Sequence, residues 1–376
     1  MRGVVCFLAF GACGFSVPAG PRDGAAGTDD GTGAAATVDG PNVDAPAGGL
    51  CFGEGNFIVC LAALPTSAVR YDGVSSIITS GGQCPGEVVI PSTGPELCVV
   101  AGTTVTVNEF VDVSGTRPLV LVATSGALTV TSIATIDASA FRNGGAGPGS
   151  NFASCAAPGT AGSASNGSGG GAGGSFGTRG GNGGAGGGAA GGTAAPASTP
   201  VFLRGGCRGA VGGTSSGAGG LGGDSGGALY LVANTTLSIN GRIDASGASG
   251  DGAPSGKGGG GGGGSGGMIA LWGRNGISIG ATAVVFANGA GGGGGADAAA
   301  PGGNGFESTG PLVIGAGGPG GNGVGTAGGA GATLVAPGQS ATASTKGGGG
   351  GGGGVGVIKN VSGQSITAGS FSPPPS

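Results

Sequence analysis

Val99-Val100-Ala101-Gly102-Thr103-Thr104-Val105-Thr106-Val107-Asn108-Glu109-Phe110-Val111-Asp112-Val113-Ser114-Gly115 aligns without a gap with Leu231-Val232-Ala233-Asn234-Thr235-Thr236-Leu237-Ser238-Ile239-Asn240-Gly241-Arg242-Ile243-Asp244-Ala245-Ser246-Gly247. Internal repetition decides architecture ahead of local propensity. Each copy holds three short runs of alternating apolar and polar residues, parted by Gly, Asn, Ser or Thr. Alternation at period two turns one set of side chains inward and the other outward, as in a strand. Two further copies follow the pattern. One contains Leu121-Val122-Ala123, Leu128-Thr129-Val130 and Ile136-Asp137-Ala138-Ser139. The other contains Leu271-Trp272-Gly273, Ile277-Ser278-Ile279 and Val285-Phe286-Ala287-Asn288-Gly289. The spacing from Val99 to Leu121 admits three short strands with tight turns, at about 3.3 Å per residue. The expected fold is therefore all-β. It is a right-handed parallel β-helix (β-solenoid) with long Gly-rich loop insertions and a small disulfide-bonded N-terminal cap.

Between the repeats lies glycine. The chain of 376 residues holds 104 glycines, and only 8% of it is charged. Ordinary glycine usage is about 7%, and no strict Gly-X-Y period marks a collagen. The inserts occupy residues 143–227, 248–267 and 290–354, and per-repeat insertions map to loops on one face of a solenoid. Two conformations are open to them. Polyglycine loses the most entropy on folding and can stay disordered. It can also pack as extended polyproline-II-like segments side by side, and Gly180-Gly181-Asn182-Gly183-Gly184-Ala185 has the three-residue period this needs.

The ends divide the rest of the chain. Residues 1–12 are a short basic then apolar start like a secretory signal, too short for a bilayer span of about 20 residues. Phe10-Gly11-Ala12-Cys13 resembles a bacterial lipobox, which would make Cys13 the lipidated first residue. Residues 13–48, mostly Gly, Ala, Pro and Asp, bury too little apolar surface to offset their ordering entropy and read as a flexible acidic tether. Residues 49–98 form the cysteine-bearing cap, and residues 99–376 the Gly-rich body. Six cysteines remain after Cys6 and Cys13: Cys51, Cys60, Cys84, Cys98, Cys155 and Cys207. An even number in an exported chain suggests disulfides, in any of 15 connectivities. The preferred set joins neighbours: Cys51 to Cys60, Cys84 to Cys98, and Cys155 to Cys207.

Several chemistries are excluded. Histidine is absent, so no Ser-His-Asp triad, Cys-His pair or histidine-ligated metal can form. The net charge of −4 is uneven, acidic before residue 140 and mildly basic after it, with no Lys/Arg cluster of the kind nucleic-acid binding needs. Gly223-Asp224-Ser225-Gly226-Gly227 looks like the nucleophile segment of trypsin-like proteases, but the chain lacks the general base. Lys257 stands outside any phosphate-loop spacing. No cofactor and no metal are expected. One constellation remains: Asp112, Asp137 and Asp244 hold equivalent places in three repeats, and Phe286 replaces the fourth. Stacked carboxylates bind calcium or do acid/base work on polysaccharide, as in pectate-lyase-like enzymes. The simpler role is a carboxylate before a turn, bonded to local backbone. Trp272, Phe286 and Tyr230 are the aromatic residues available to stack on a sugar, but core placement is the expected role of each.

The whole layout of signal, Asp/Pro/Ala tether, cysteine cap and Ile-Asp-Ala-Ser-Gly repeats with Gly-rich inserts resembles Gly-rich parallel β-helix lipoproteins of the myxobacterial cell envelope. The resemblance implies an exported, lipid-anchored protein at the outer membrane or cell surface, with no established activity. The expected function is a non-enzymatic structural or adhesive one, in which Gly-rich loops meet extracellular polysaccharide, matrix or other surface proteins. The alternative is a β-helix lyase- or hydrolase-like enzyme using the Asp row.

Overall fold

The structure, a computed structural model, describes residues 50–366 and 368–376. The expected signal, lipidated Cys13 and tether lie outside the described residues.

The strands are short because the apolar runs are short. They are β1 (Cys51–Phe52), β2 (Val59–Cys60), β3 (Val69–Tyr71), β4 (Ser75–Ile78), β5 (Glu87–Val89), β6 (Leu97–Gly102), β7 (Val105–Val107), β8 (Phe110–Ser114), β9 (Leu119–Ala123), β10 (Leu128–Val130) and β11 (Thr135–Asp137). After them come β12 (Ser163–Ala164), β13 (Gly167–Ser168), β14 (Ala228–Ala233), β15 (Thr236–Ile239), β16 (Arg242–Asp244), β17 (Met268–Gly273), β18 (Gly276–Ile279), β19 (Val284–Phe286), β20 (Val357–Asn360) and β21 (Ser370–Ser372). Most gather into three sheets. One has the order β18-β15-β10-β7-β3, the second β21-β19-β16-β11-β8-β4, and the third β20-β17-β14-β9-β6-β5. Pairing is parallel throughout the first two, and in the third except where β5 runs antiparallel to β6.

These pairings correct the expected β-helix. The strands form separate open sheets of five, six and six, and no closed solenoid encloses them. Each repeat supplies strands, as expected, but they do not close into a coil. Long Gly-rich excursions between β11 and β14, β16 and β17, and β19 and β20 part the repeats. The segment taken as a cap also joins the sheets, because β3, β4 and β5 each supply an edge strand.

Alternation sets the core. Val105, Val107, Leu128, Val130, Leu237 and Ile239 point inward from one sheet, and Val111, Ile136, Ile243 and Val285 from another. They meet Val100, Leu121, Leu231, Leu271 and Ile358 from the third sheet. That third sheet is buried on its other face too, where Val99, Val120, Val122, Tyr230, Val232, Met268 and Trp272 pack with Phe52, Val59, Phe176 and Leu203. This is why β9, β14 and β17 read as unbroken apolar runs with no polar face.

The Gly-rich stretches are not loops. Apart from the β12–β13 hairpin and short turns, they lie extended, outside strands, and bond to one another at every third residue, the period of a polyproline-II-like segment. Residues 258–267 show the pattern. Gly259, Gly262 and Ser265 donate to the carbonyls of Gly213, Ala210 and Cys207; Gly260, Gly263 and Gly266 donate to those of Gly348, Gly351 and Gly354; Gly261 and Gly264 donate to those of Asp251 and Ala248. Their own carbonyls accept from Gly220 and Gly223, from Gly171 and Gly174, and from Gly293 and Ala290. The segment is thus bonded on all sides, in a lattice that leaves no room for a side chain. A Cβ placed on Gly261 would lie 1.9 Å from the Leu221 carbonyl oxygen, and one on Gly352 would lie 1.9 Å from that of Ala330. The backbone groups of residues 258–267, buried away from water, find in this lattice the partners that burial demands.

Candidate functional site

β8, β11 and β16 pair in register, and so bring the three expected carboxylates together. Asp112 lies opposite Asp137, and Asp137 opposite Asp244. Val111, Ile136 and Ile243 turn into the core, so the adjacent aspartates turn out onto one face. The row continues as Ser76, Asp112, Asp137, Asp244, Phe286 and Ser372. Neighbouring parallel strands lie about 4.8 Å apart, which sets the carboxylates within reach of one another's charge.

Two of the three are held locally. Asp137 Oδ1 accepts from the Ser139 amide at 3.0 Å and the Ser139 hydroxyl at 2.6 Å. Asp244 Oδ1 accepts from the Ser246 amide at 2.9 Å. These are the turn bonds that an Asp before Ala-Ser favours. Asp244 is only 3% exposed, and Arg242, two residues back on the same face, donates to its Oδ2 at 2.7 Å. The guanidinium also lies 4.4 Å from the Phe286 ring centre and donates to the Thr309 carbonyl from the third Gly-rich stretch. Burial and the Asp137 charge push the Asp244 carboxyl up to about 6, against the opposing pull of Ser246 and Arg242. Asp112 is raised by burial and by Asp137.

Other singled-out residues serve structure. Ser225 is fully buried; its hydroxyl donates to Asn151 Oδ1 and accepts from the Asn151 amide. Asp224 pairs with Arg208 at 3.1 Å and accepts from Asn151 Nδ2. The aromatics do not make a sugar platform. Trp272 donates to Glu54 at 3.0 Å, Tyr230 meets Phe57 edge-on, and Phe286 lies under Arg242 in a different sheet. Lys257 stands at a turn with φ of 66°. Sequence reasoning missed Arg242 and Glu54. Alternation within Arg242-Ile243-Asp244 carried a signal for the first; nothing local carried one for the second, 218 residues from its partner.

The cysteines join as neighbours: Cys51–Cys60, Cys84–Cys98 and Cys155–Cys207. Three disulfides suit an oxidising, extracellular compartment. Among the described residues no helix is long and apolar enough to cross a membrane, and no group of three or more Cys, Asp or Glu is arranged to hold a metal ion. Cys155 and Cys207 share a cleft of about 290 Å³ with Asn151, Pro158, Ser175 and Arg208. No family model, curated protein or solved structure matches the chain.

Proposed function

We propose that this is a non-enzymatic structural or adhesive protein of the cell envelope, exported and held to a membrane by a lipid on Cys13. Its Gly-rich body would present a stiff, weakly charged wall to extracellular polysaccharide or to other surface proteins. The observation that carries this reading is the buried lattice of backbone hydrogen bonds. A lattice bonded on all sides resists deformation, and only every third side chain of its outer segments can project. Arg208, Val211 and Thr214 project from one segment, and Ala218 and Leu221 from its neighbour. Such an array offers regularly spaced small groups for contact. The disulfides support export, and the lipobox-like Phe10-Gly11-Ala12-Cys13 supports anchoring.

A Cys13→Ser protein lacking residues 1–12 tests the reading on immobilised neutral and acidic polysaccharides, with and without calcium. Retention without cleavage is the expected result. Release of new reducing or unsaturated ends overturns it. One observation favours that second reading: Asp244, raised to about 6, stands beside Asp137, a pair suited to proton transfer. If cleavage is seen, Asp137→Asn and Asp244→Asn should each abolish it.

A further inference from the structure

Arg204 is 3% exposed, yet among the described residues no carboxylate lies within ion-pair reach of it. A buried cation without a counter-ion is costly. What surrounds it is a disulfide. Arg204 Nη1 donates to the sulfurs of Cys155 at 3.4 Å and Cys207 at 3.8 Å, while Nη2 donates to Ser198 Oγ at 3.0 Å. The guanidinium is further held by the ring of Phe176 at 4.6 Å and that of Phe152 at 6.0 Å. Burial lowers its pKa, but an arginine keeps its charge in proteins. A fixed cation against two sulfurs does little for a disulfide, which is neutral. It does much for a thiolate, the species formed when that bond opens.

Access supports the same conclusion. Cys155 and Cys207 both line the cleft of about 290 Å³, of which Arg204 is not a part. Cys155 is the more exposed of the two, and Cys207 is buried. A small thiol can therefore approach from the cleft while the guanidinium contacts the sulfurs from within. Neither Cys51–Cys60 nor Cys84–Cys98 receives a bond from an arginine or lysine among the described residues.

We propose that Cys155–Cys207 is a thiol-exchange site for low-molecular-weight thiols. The incoming thiolate attacks Sγ of Cys155 and forms a mixed disulfide there. The Cys155–Cys207 bond breaks, and its electron pair leaves on Cys207 as a thiolate beside Arg204. A second thiolate can then attack the external sulfur of the mixed disulfide, freeing Cys155 as thiolate and releasing the small-molecule disulfide. The second small thiol is the reductant's other electron donor, and no further co-reactant is needed. Exchange is faster the lower the pKa of the leaving thiol, and a neighbouring cation lowers that pKa by a unit or more, which together give a rate advantage of about tenfold.

The experiment incubates the folded, fully oxidised protein with graded glutathione, quenches with iodoacetamide and maps labels by mass spectrometry. Expected are glutathione on Cys155 and alkylated Cys207, appearing about tenfold sooner than any label on Cys51, Cys60, Cys84 or Cys98. Arg204→Met should slow this pair about tenfold and leave the others unchanged, and Arg204→Lys should restore most of the rate. Equal opening of the three disulfides, earlier opening of another, or an unaltered rate in Arg204→Met overturns the proposal. Should Arg204→Met fail to fold, the pH dependence of Cys207 alkylation in the glutathione adduct decides. A midpoint at or below about 7.5, a unit or more under the ordinary value of about 8.5, supports the site, and any higher midpoint overturns it.

Discussion

Gly350→Ala tests whether the Gly-rich lattice is the load-carrying part of this fold. A Cβ on Gly350 would lie 1.9 Å from the carbonyl oxygen of Gly261 and 2.4 Å from its carbonyl carbon. Ordinary contact needs more than 3 Å, so the two segments must part by over an ångström. Residues 347–354 cannot retreat, because Gly350 donates to Gly293, Gly351 to Gly171 and Gly352 to Gln339 on other sides. The bonds from Gly260 to Gly348 and from Gly263 to Gly351, each 2.9 Å, would then be lost between the parted segments. Each leaves a buried amide unpaired, at about 1–3 kcal/mol, and overpacking itself costs about 1–3 kcal/mol. The expected loss is about 3–9 kcal/mol. Gly73 provides the control: it has open space around its Cα and no positive φ, so Gly73→Ala should stay within about 0.5 kcal/mol. Urea unfolding with the disulfides intact measures both, read as midpoint shifts at unchanged slope. A Gly350→Ala protein within 0.5 kcal/mol of the parent would refute the close-packed lattice.

Three further outcomes follow from named contacts. Asp244 is held at about 6 against an ordinary 3.8, so between those values the folded protein keeps a proton that the unfolded chain releases. Its effect on stability is therefore unfavourable above that window: stability should fall as pH rises from about 4 to 6, by roughly 3 kcal/mol, and urea midpoints across that range should lose this decline in Asp244→Asn. Arg242→Met removes the cation opposite Asp244 and should cost about 3 kcal/mol at pH 7, with much of the loss recovered at pH 4, where the carboxyl is protonated; an equal loss at both pH values would show that Arg242 acts by packing alone. Glu54→Ala strands the buried indole N–H of Trp272, the one tryptophan in the chain, at about 1–3 kcal/mol, and should shift its fluorescence; an unchanged spectrum and midpoint would argue against the contact.

Much of the local order was legible. Period-two alternation in Val105-Thr106-Val107 or Leu237-Ser238-Ile239 marks strands because one side chain of each pair must enter a core. The equivalence of Asp112, Asp137 and Asp244 in the repeats also anticipated their row, since parallel strands in register keep like positions adjacent. Short loops account for Cys51–Cys60 and Cys84–Cys98, with separations of 9 and 14, but not for Cys155–Cys207, whose partners lie 52 residues apart. The candidate site was less legible. That Arg242 neutralises one end of the Asp row, and that Asp244 is the most deeply buried of the three, depends on Thr309 and its stretch lying overhead.

The sequence by itself determined the strand segments and, in the alternating second and third strands of each repeat, their inward faces and equivalence, because side-chain periodicity is written residue by residue; in the unbroken apolar first strand it did not, and Val100, not Val99, stands in register with Leu121 and Leu231. Tertiary structure alone decided that the strands form three open sheets instead of a closed solenoid, and that the Gly-rich stretches become a packed body. The reason is physical. A glycine has no side chain, so a run such as residues 258–264 carries no mark of inside or outside, and its bonding partners are chosen only when distant segments arrive around it. The same holds for Arg204 and the Cys155–Cys207 pair: a charge is set against a disulfide by packing, and no spacing along the chain announces it.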